Sequence, residues 1–401
     1  MPIEQDERVR SFGTKVRLFP QAPYLAGFAE PEVVWLSPPA GTIGPGPSDD
    51  RMYIVDAVEK QQPYAFPDLP PYYGDAHPAC GPSADGHFDH FEIGSREFVA
   101  AHLYGSVRRV LDIFESYLGR RIEWQFHERY QRLELIPLLD WDNAQSGYGF
   151  MEFGYSADES GKRWPFALNF DVIAHEVGHA MLFSLMDLPL EGRWTPEFGG
   201  FHESAADLVS LLSVMHFDTV LERLLHACRG NIYTLNELNR IGELADARQI
   251  RLASNSRKMS EVTTEMHDLS RPLTGAFFDM IAYVFMDKLY RRNLIGADLF
   301  RESLRDEPRA QKTDWIQAAF DEAYKDRHFQ FKAALTESRD AIGTRLAAAW
   351  EVLSPNDLSY SDVAAAFLSI DQRLDDGRYN SPFQGSFHWR GIVEYVMAAQ
   401  I

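Results

Sequence analysis

Apolar positions recur at helical spacing through residues 95–120, at Ala101, Tyr104, Val107, Val110, Leu111, Phe114 and Leu118, with Gly119 suited to the stop. Before them, residues 1–90 are rich in Pro, Gly and Tyr and read as short strands joined by long turns, with Met52–Val58 a plausible strand. After them, Ile122–Phe126, Leu133–Ile136 and Phe150–Phe153 predict strands, separated by turn residues that include Asp142, Asn143 and glycines 147 and 149. The pattern then turns helical. The spacing predicts helices at about 171–185, over His202–Val214, over Gly275–Arg292, within 313–350 and over Asp362–Ile370, with a Pro- and Gly-bearing connection from Pro189 to Gly200. No internal repeat or low-complexity segment interrupts this order. The chain is therefore expected to be α+β, strand-rich first and helix-rich second, with a cleft between two lobes. The divisions fall at 1–90, a loop- and strand-rich segment; 91–190, a lobe ending in the 171–185 helix; and 191–401, a mainly helical lobe.

That helix carries His175-Glu176-Val177-Gly178-His179 among apolar neighbours. Residues four apart share a helix face, so both imidazoles can reach one metal ion, while Glu176 is rotated away but within reach of a metal-bound water. Two neutral nitrogen ligands and a base are what zinc hydrolysis requires. A pair of packed helix histidines is the plain alternative. A third ligand must come from elsewhere, and Glu203 is the choice. It opens the next helix, and Asp207, four residues on, can take a hydrogen bond from the free nitrogen of a ligand histidine. His202 is the rival ligand, but its own i+4 residue is Ala206, which offers no such partner.

Composition narrows the setting. The chain has 401 residues, 45% apolar and 24% charged, and a formal net charge of −20. Such acidity disfavours nucleic acid and anionic membranes as partners. The two cysteines, Cys80 and Cys228, do not suggest a disulfide framework. The charged N-terminal residues lack the apolar core of a signal peptide, and no apolar run is long enough to span a membrane, so a cytoplasmic location is expected, with export by another route left open. There is no phosphate-binding lysine loop, GxSxG elbow or GxGxxG fingerprint.

The paired motifs His175-Glu-Val-Gly-His179 and Glu203-Ser-Ala-Ala-Asp207 resemble those of the thermolysin-like gluzincin zinc metallopeptidases, and the likeness extends over about residues 95–290. The resemblance implies one catalytic zinc held by His175, His179 and Glu203, with Glu176 as general base and Asp207 behind a ligand histidine. Asn143-Ala144 sits where the family has an Asn-Ala pair that binds the substrate backbone. Met266-His267-Asp-Leu-Ser270 resembles the segment whose histidine stabilises the transition state, and Gln249-Ile-Arg251 the segment whose arginine holds a substrate carbonyl. The implied substrate is a peptide or protein.

This chain also departs from the family. The loop from His179 to Glu203 is longer than in the family's namesake and contains no tyrosine for the oxyanion, with Trp194 the nearby N–H donor. Asp171 is retained before the motif, but Val214 stands where a calcium-ligating acid is expected, so calcium is not expected at the family's double site. Two other readings share these residues. One is a hydrolase of the same type specialised for a narrow or non-peptide substrate; the other is a non-catalytic zinc-binding module. The oligomeric state is not specified by any of these residues.

Overall fold

Ser95 accepts a hydrogen bond from the Phe98 N–H, and Gly119 adopts a left-handed conformation at φ 71°, so the apolar periodicity between them closes into a helix, Arg96–Leu118. The computed structural model describes residues 5–25, 27–157, 161–234, 240–241, 251–304 and 311–394. The described helices are α1 Gln5–Val9, α2 Arg96–Leu118, α3 Phe170–Met186, α4 Pro196–Val214, α5 Asp218–Cys228, α6 Met266–Arg291, α7 Ala297–Ser303, α8 Thr313–Tyr324, α9 His328–Trp350, α10 Tyr360–Asp375 and α11 Asn380–Trp389. The strands are β1 Gly13–Leu18, β2 Glu32–Pro39, β3 Met52–Ile54, β4 Leu133–Ile136, β5 Ala144–Gly147, β6 Phe150–Phe153, β7 Tyr155–Ala157, β8 Arg163–Pro165, β9 Arg240–Ile241 and β10 Arg251–Leu252. The fold is mixed α+β.

The central sheet has the order β3-β4-β6-β5, parallel from β3 to β6 and antiparallel at its β5 edge. Two buried carboxylates on the sheet would be costly if left unpaired. Glu134 accepts from the Tyr53 and Tyr64 hydroxyls and the Tyr72 N–H, and Glu152 from the Tyr64 N–H and Gln145. These bonds tie the Pro- and Tyr-rich segment to the sheet. The β1–β2 hairpin packs on α2, and the main apolar core runs from Val16 to Ile392, with a smaller cluster of Ala57, Tyr64, Ile136 and Phe150 beside it.

Several elements differ from the sequence expectation. Ile122, Trp124 and Phe126 are buried as predicted, but the segment forms no strand. Its polar groups go elsewhere: the Ile122 N–H to Glu115, the Trp124 indole to the Arg51 carbonyl, and the Phe126 carbonyl into a turn with Arg129 and Tyr130. The strand expected over 52–58 ends at Ile54. Helix α4 begins at Pro196 rather than His202, because Thr195 caps it and Pro196 fits the first turn, where no N–H is needed. Helix α6 begins at Met266 rather than Gly275, because the Glu265 side chain accepts the Asp268 N–H, and Pro272 is carried inside the helix. The 313–350 pattern divides into α8 and α9, with Asp326 at φ 57° between them.

Asn169 caps α3 through the Asp171 and Val172 N–H groups, and the residues before it are anchored by a fully buried histidine. His102 takes the Phe19 N–H on Nε2 at 3.0 Å and faces the Ala167 carbonyl through Nδ1 at 2.9 Å. Only the neutral ring with its proton on Nδ1 satisfies both. Burial pushes its pKa down to about 4, against the two backbone contacts. Between about 6.5 and 4 the unfolded chain therefore binds a proton that the folded one refuses, so this contribution is intact above pH 6.5 and is lost as pH falls through that window. A His102→Asn variant should lose less stability on acidification than the native chain, by about 1.4 kcal/mol per pH unit between pH 6 and 4.5. Denaturant melts at stepped pH measure the difference; parallel curves would remove His102 as the cause.

Candidate metal centre

The site is built where α3 and α4 cross. A Cβ placed on Gly178 would lie 2.8 Å from the Ala206 Cα, 3.1 Å from its Cβ and 3.2 Å from the Val209 Cβ. Glycine in the fourth position of the motif and alanine three residues after Glu203 thus let the two backbones nearly touch. Farther along α4, Ser210 donates to the Asp171 carbonyl at 3.1 Å and to its carboxylate at 3.3 Å, holding the start of α3.

Across this crossing, His175, His179 and Glu203 bring their ligand atoms within 4.8 Å of one another. The two Nε2 atoms are 3.1 Å apart, and Glu203 oxygens lie 3.5 Å from His175 Nε2 and 3.6 Å from His179 Nε2. A tetrahedral ion with bonds of about 2.0–2.1 Å separates its ligand atoms by about 3.3 Å. The two imidazole nitrogens are near that spacing, Glu203 turns Oε2 to His175 and Oε1 to His179, and two imidazoles with one carboxylate are a donor set suited to zinc. Glu176, one residue along α3 from His175, is buried. Asp207 Oδ1 lies 3.0 Å from His175 Nδ1, on the side of the ring away from Glu203.

His202, the rival ligand by sequence, does not join the cluster. Its Nδ1 lies 2.9 Å from His179 Nδ1, behind that ring. Burial, opposed by the Glu203 charge, pushes its pKa down to about 3.

His267 occupies the first turn of α6, and its Nε2 is 3.4 Å from Glu203 Oε2. Its Nδ1 is 2.7 Å from Glu265 Oε1. Partial burial raises the Glu265 carboxyl, but the bonds to His267 and the Asp268 N–H outweigh it and hold Glu265 below the ordinary range. Sequence reasoning did not pick out Glu265. The only signal available was an acid just before a helix start, and that start was itself placed nine residues too late.

The remaining predicted residues fall around this cluster. Asn143 is exposed and immediately precedes edge strand β5, which packs beside α3. The Asn143 carbonyl accepts the Gly154 N–H at 2.9 Å. Successive strand residues direct their backbone groups to opposite sides, so those of Ala144 turn to the side away from β6, which no described strand occupies. Arg251 pairs with Ile241 through its backbone; its side chain, with Gln249 and Ile250, lies outside the described residues. Trp194 is 55% exposed and packs edge-on against Phe198, 4.8 Å between centroids. Val214 is in the core.

No family model and no curated protein matches the chain. Among solved structures it is similar to one described as the precursor of protealysin, a metalloproteinase from Serratia proteamaculans. The TM-score is 0.49 and the identity 14%, over 89% of this chain and 92% of that one. A likeness at that level carries no weight in the functional reading, which rests on the residues themselves. No described helix is long and apolar enough to cross a membrane.

The helix crossing yields a prediction. Gly178→Ala should gain up to about 1 kcal/mol of helix propensity but lose roughly 1–3 kcal/mol to overpacking against Ala206, for a small net loss of stability. Because relief of the clash moves α4 away from α3, metal affinity should fall by at least tenfold, and the Gly178→Ala, Ala206→Gly pair should recover part of it. Chelator competition on both variants checks this; unchanged affinity in the single variant would show that the crossing does not govern the site.

Proposed function

We propose that the chain is a zinc-dependent peptidase of the thermolysin-like gluzincin type, acting on peptide or protein substrates, with its site between lobes 91–190 and 191–401 behind an N-terminal segment, 1–90. The observation that carries this reading is the convergence of His175 Nε2 and His179 Nε2, 3.1 Å apart, with the two oxygens of the Glu203 carboxylate 3.5 and 3.6 Å from them. The buried Glu176 accompanies it, and a site that only stored metal would have no use for a base there.

Zinc held by these three residues would lower the pKa of a bound water towards about 7 and polarise the scissile carbonyl. Glu176 accepts the proton of the attacking water and passes it to the departing amine. Asp207 holds His175 with Nε2 turned to the cluster. Glu265 holds His267 by Nδ1, so that Nε2 is the nitrogen facing the cluster, and the imidazolium form donates to the oxygen that gains negative charge. The substrate lies as an added strand along the open side of β5, where the Ala144 backbone and the Asn143 side chain hold it. Arg251 is the proposed holder of a substrate carbonyl. With Trp194 turned onto Phe198, His267 is the side-chain donor assigned to the oxyanion.

Glu176→Gln should keep zinc stoichiometry and fold yet lose most turnover on a peptide library and on an unstructured protein such as casein. Mass spectrometry of the products, with metal analysis of the same sample, checks this. Turnover at the native rate in that variant would exclude the mechanism.

His267→Ala should retain zinc and lower kcat by about 10²–10³ with KM changed little. Glu265→Gln should move kcat in the same direction by a smaller factor. If His267 only packs before α6, its loss lowers the melting temperature and leaves the turnover of folded protein near normal; kcat and melting temperature from one preparation decide between these.

A further inference from the structure

Two imidazole nitrogens 2.9 Å apart must divide one proton between them, one as donor and one as acceptor. The His179 ring has only one assignment that serves the cluster. Its Nε2 is 3.1 Å from His175 Nε2 and 3.6 Å from Glu203, and needs its lone pair there. Its single proton is then on Nδ1, and His202 Nδ1 is the acceptor, which leaves the His202 proton on Nε2. The His202 ring has little freedom to do otherwise. It is buried between Phe183 and Phe198, at centroid distances of 4.1 and 5.3 Å, and runs nearly parallel to His179, with an interplanar angle of 12°.

We propose that His202 is a positioning residue for the metal centre: by accepting the Nδ1–H of His179, it fixes which nitrogen of that ring is offered to the ion. The inference rests on the metal-site reading above. It assigns His202 a role opposite to that of a ligand, since its Nδ1 is committed to the back of His179. It also makes the two histidine ligands unequal. His175 is backed by the Asp207 carboxylate and His179 by a neutral ring, so the second ligand is held in orientation without another negative charge beside the ion.

The test separates the acceptor atom from the shape of the ring. On the side chain of asparagine, Oδ1 occupies the place of histidine Nδ1; phenylalanine keeps the ring and loses the acceptor. Zinc dissociation constants are measured by competition with a chromophoric chelator for the native chain and for His202→Asn, His202→Phe and His202→Ala, with thermal melts of the metal-free proteins. His202→Phe and His202→Ala should bind zinc about 10–100-fold more weakly, and His202→Asn should return to within a few-fold of the native value. If His202 serves packing alone, the order reverses: His202→Phe binds as the native chain does and His202→Asn resembles His202→Ala. That result overturns the inference while leaving the metal site in place. A native chain that takes up no zinc overturns both. Should His202→Ala fail to fold, the comparison of His202→Asn with His202→Phe still decides.

Discussion

The near-contact of α3 with α4 at Gly178 and Ala206 is the constraint on which the rest of the site depends. Two of the candidate ligands come from one helix and the third from the other, and an imidazole cannot lengthen to follow a receding carboxylate. With 2.8 Å between a would-be Cβ and the Ala206 Cα, no larger residue is accommodated at Gly178 without movement of backbone. The surrounding structure maintains this approach. Ser210 ties α4 to the start of α3, Asn169 caps α3, and His102 anchors the residues that lead into it. On the other side, α6 packs along α4 and carries His267 to the same carboxylate.

The electrostatics follow from that geometry. His175, Glu176, Glu203 and Asp207 are all buried, and His179 is half-buried. Glu203 and Asp207, buried on either side of the His175 ring, are costly as charges unless cations or donors are supplied. The imidazoles provide some compensation, and a divalent ion at the centre of the His175–His179–Glu203 triangle would provide more. Binding of such an ion and the stability of the crossing would therefore reinforce each other.

Much of the fold, and the convergence of His175, His179 and Glu203, was legible because each feature depends on local rules. The i, i+4 histidines need only a helix, and α2 announced itself through its periodicity and Gly119. What was not legible depends on contacts between distant segments. Ile122–Phe126 has the alternation of a strand, yet its backbone and indole groups are claimed by Glu115, Arg51 and a local turn. The true starts of α4 and α6 were hidden by Pro196, two glycines and Pro272, residues that ordinarily mark ends. Gly200 is tolerated because the Tyr360 hydroxyl occupies the space where its Cβ would be. The placement of His202 behind His179, rather than beside it, could be seen only once the crossing of the two helices was known.

The central claim is that two imidazoles and one carboxylate, drawn from the two crossing helices, hold a single zinc ion and leave it a position for water. X-ray absorption spectroscopy of the zinc-loaded chain tests it most directly. The account predicts one zinc per chain with four nitrogen or oxygen neighbours at about 2.0–2.1 Å and outer-shell scattering from two imidazoles. Scattering from three imidazoles, which would bring His202 or His267 onto the metal, or the absence of a stoichiometric zinc, would contradict it.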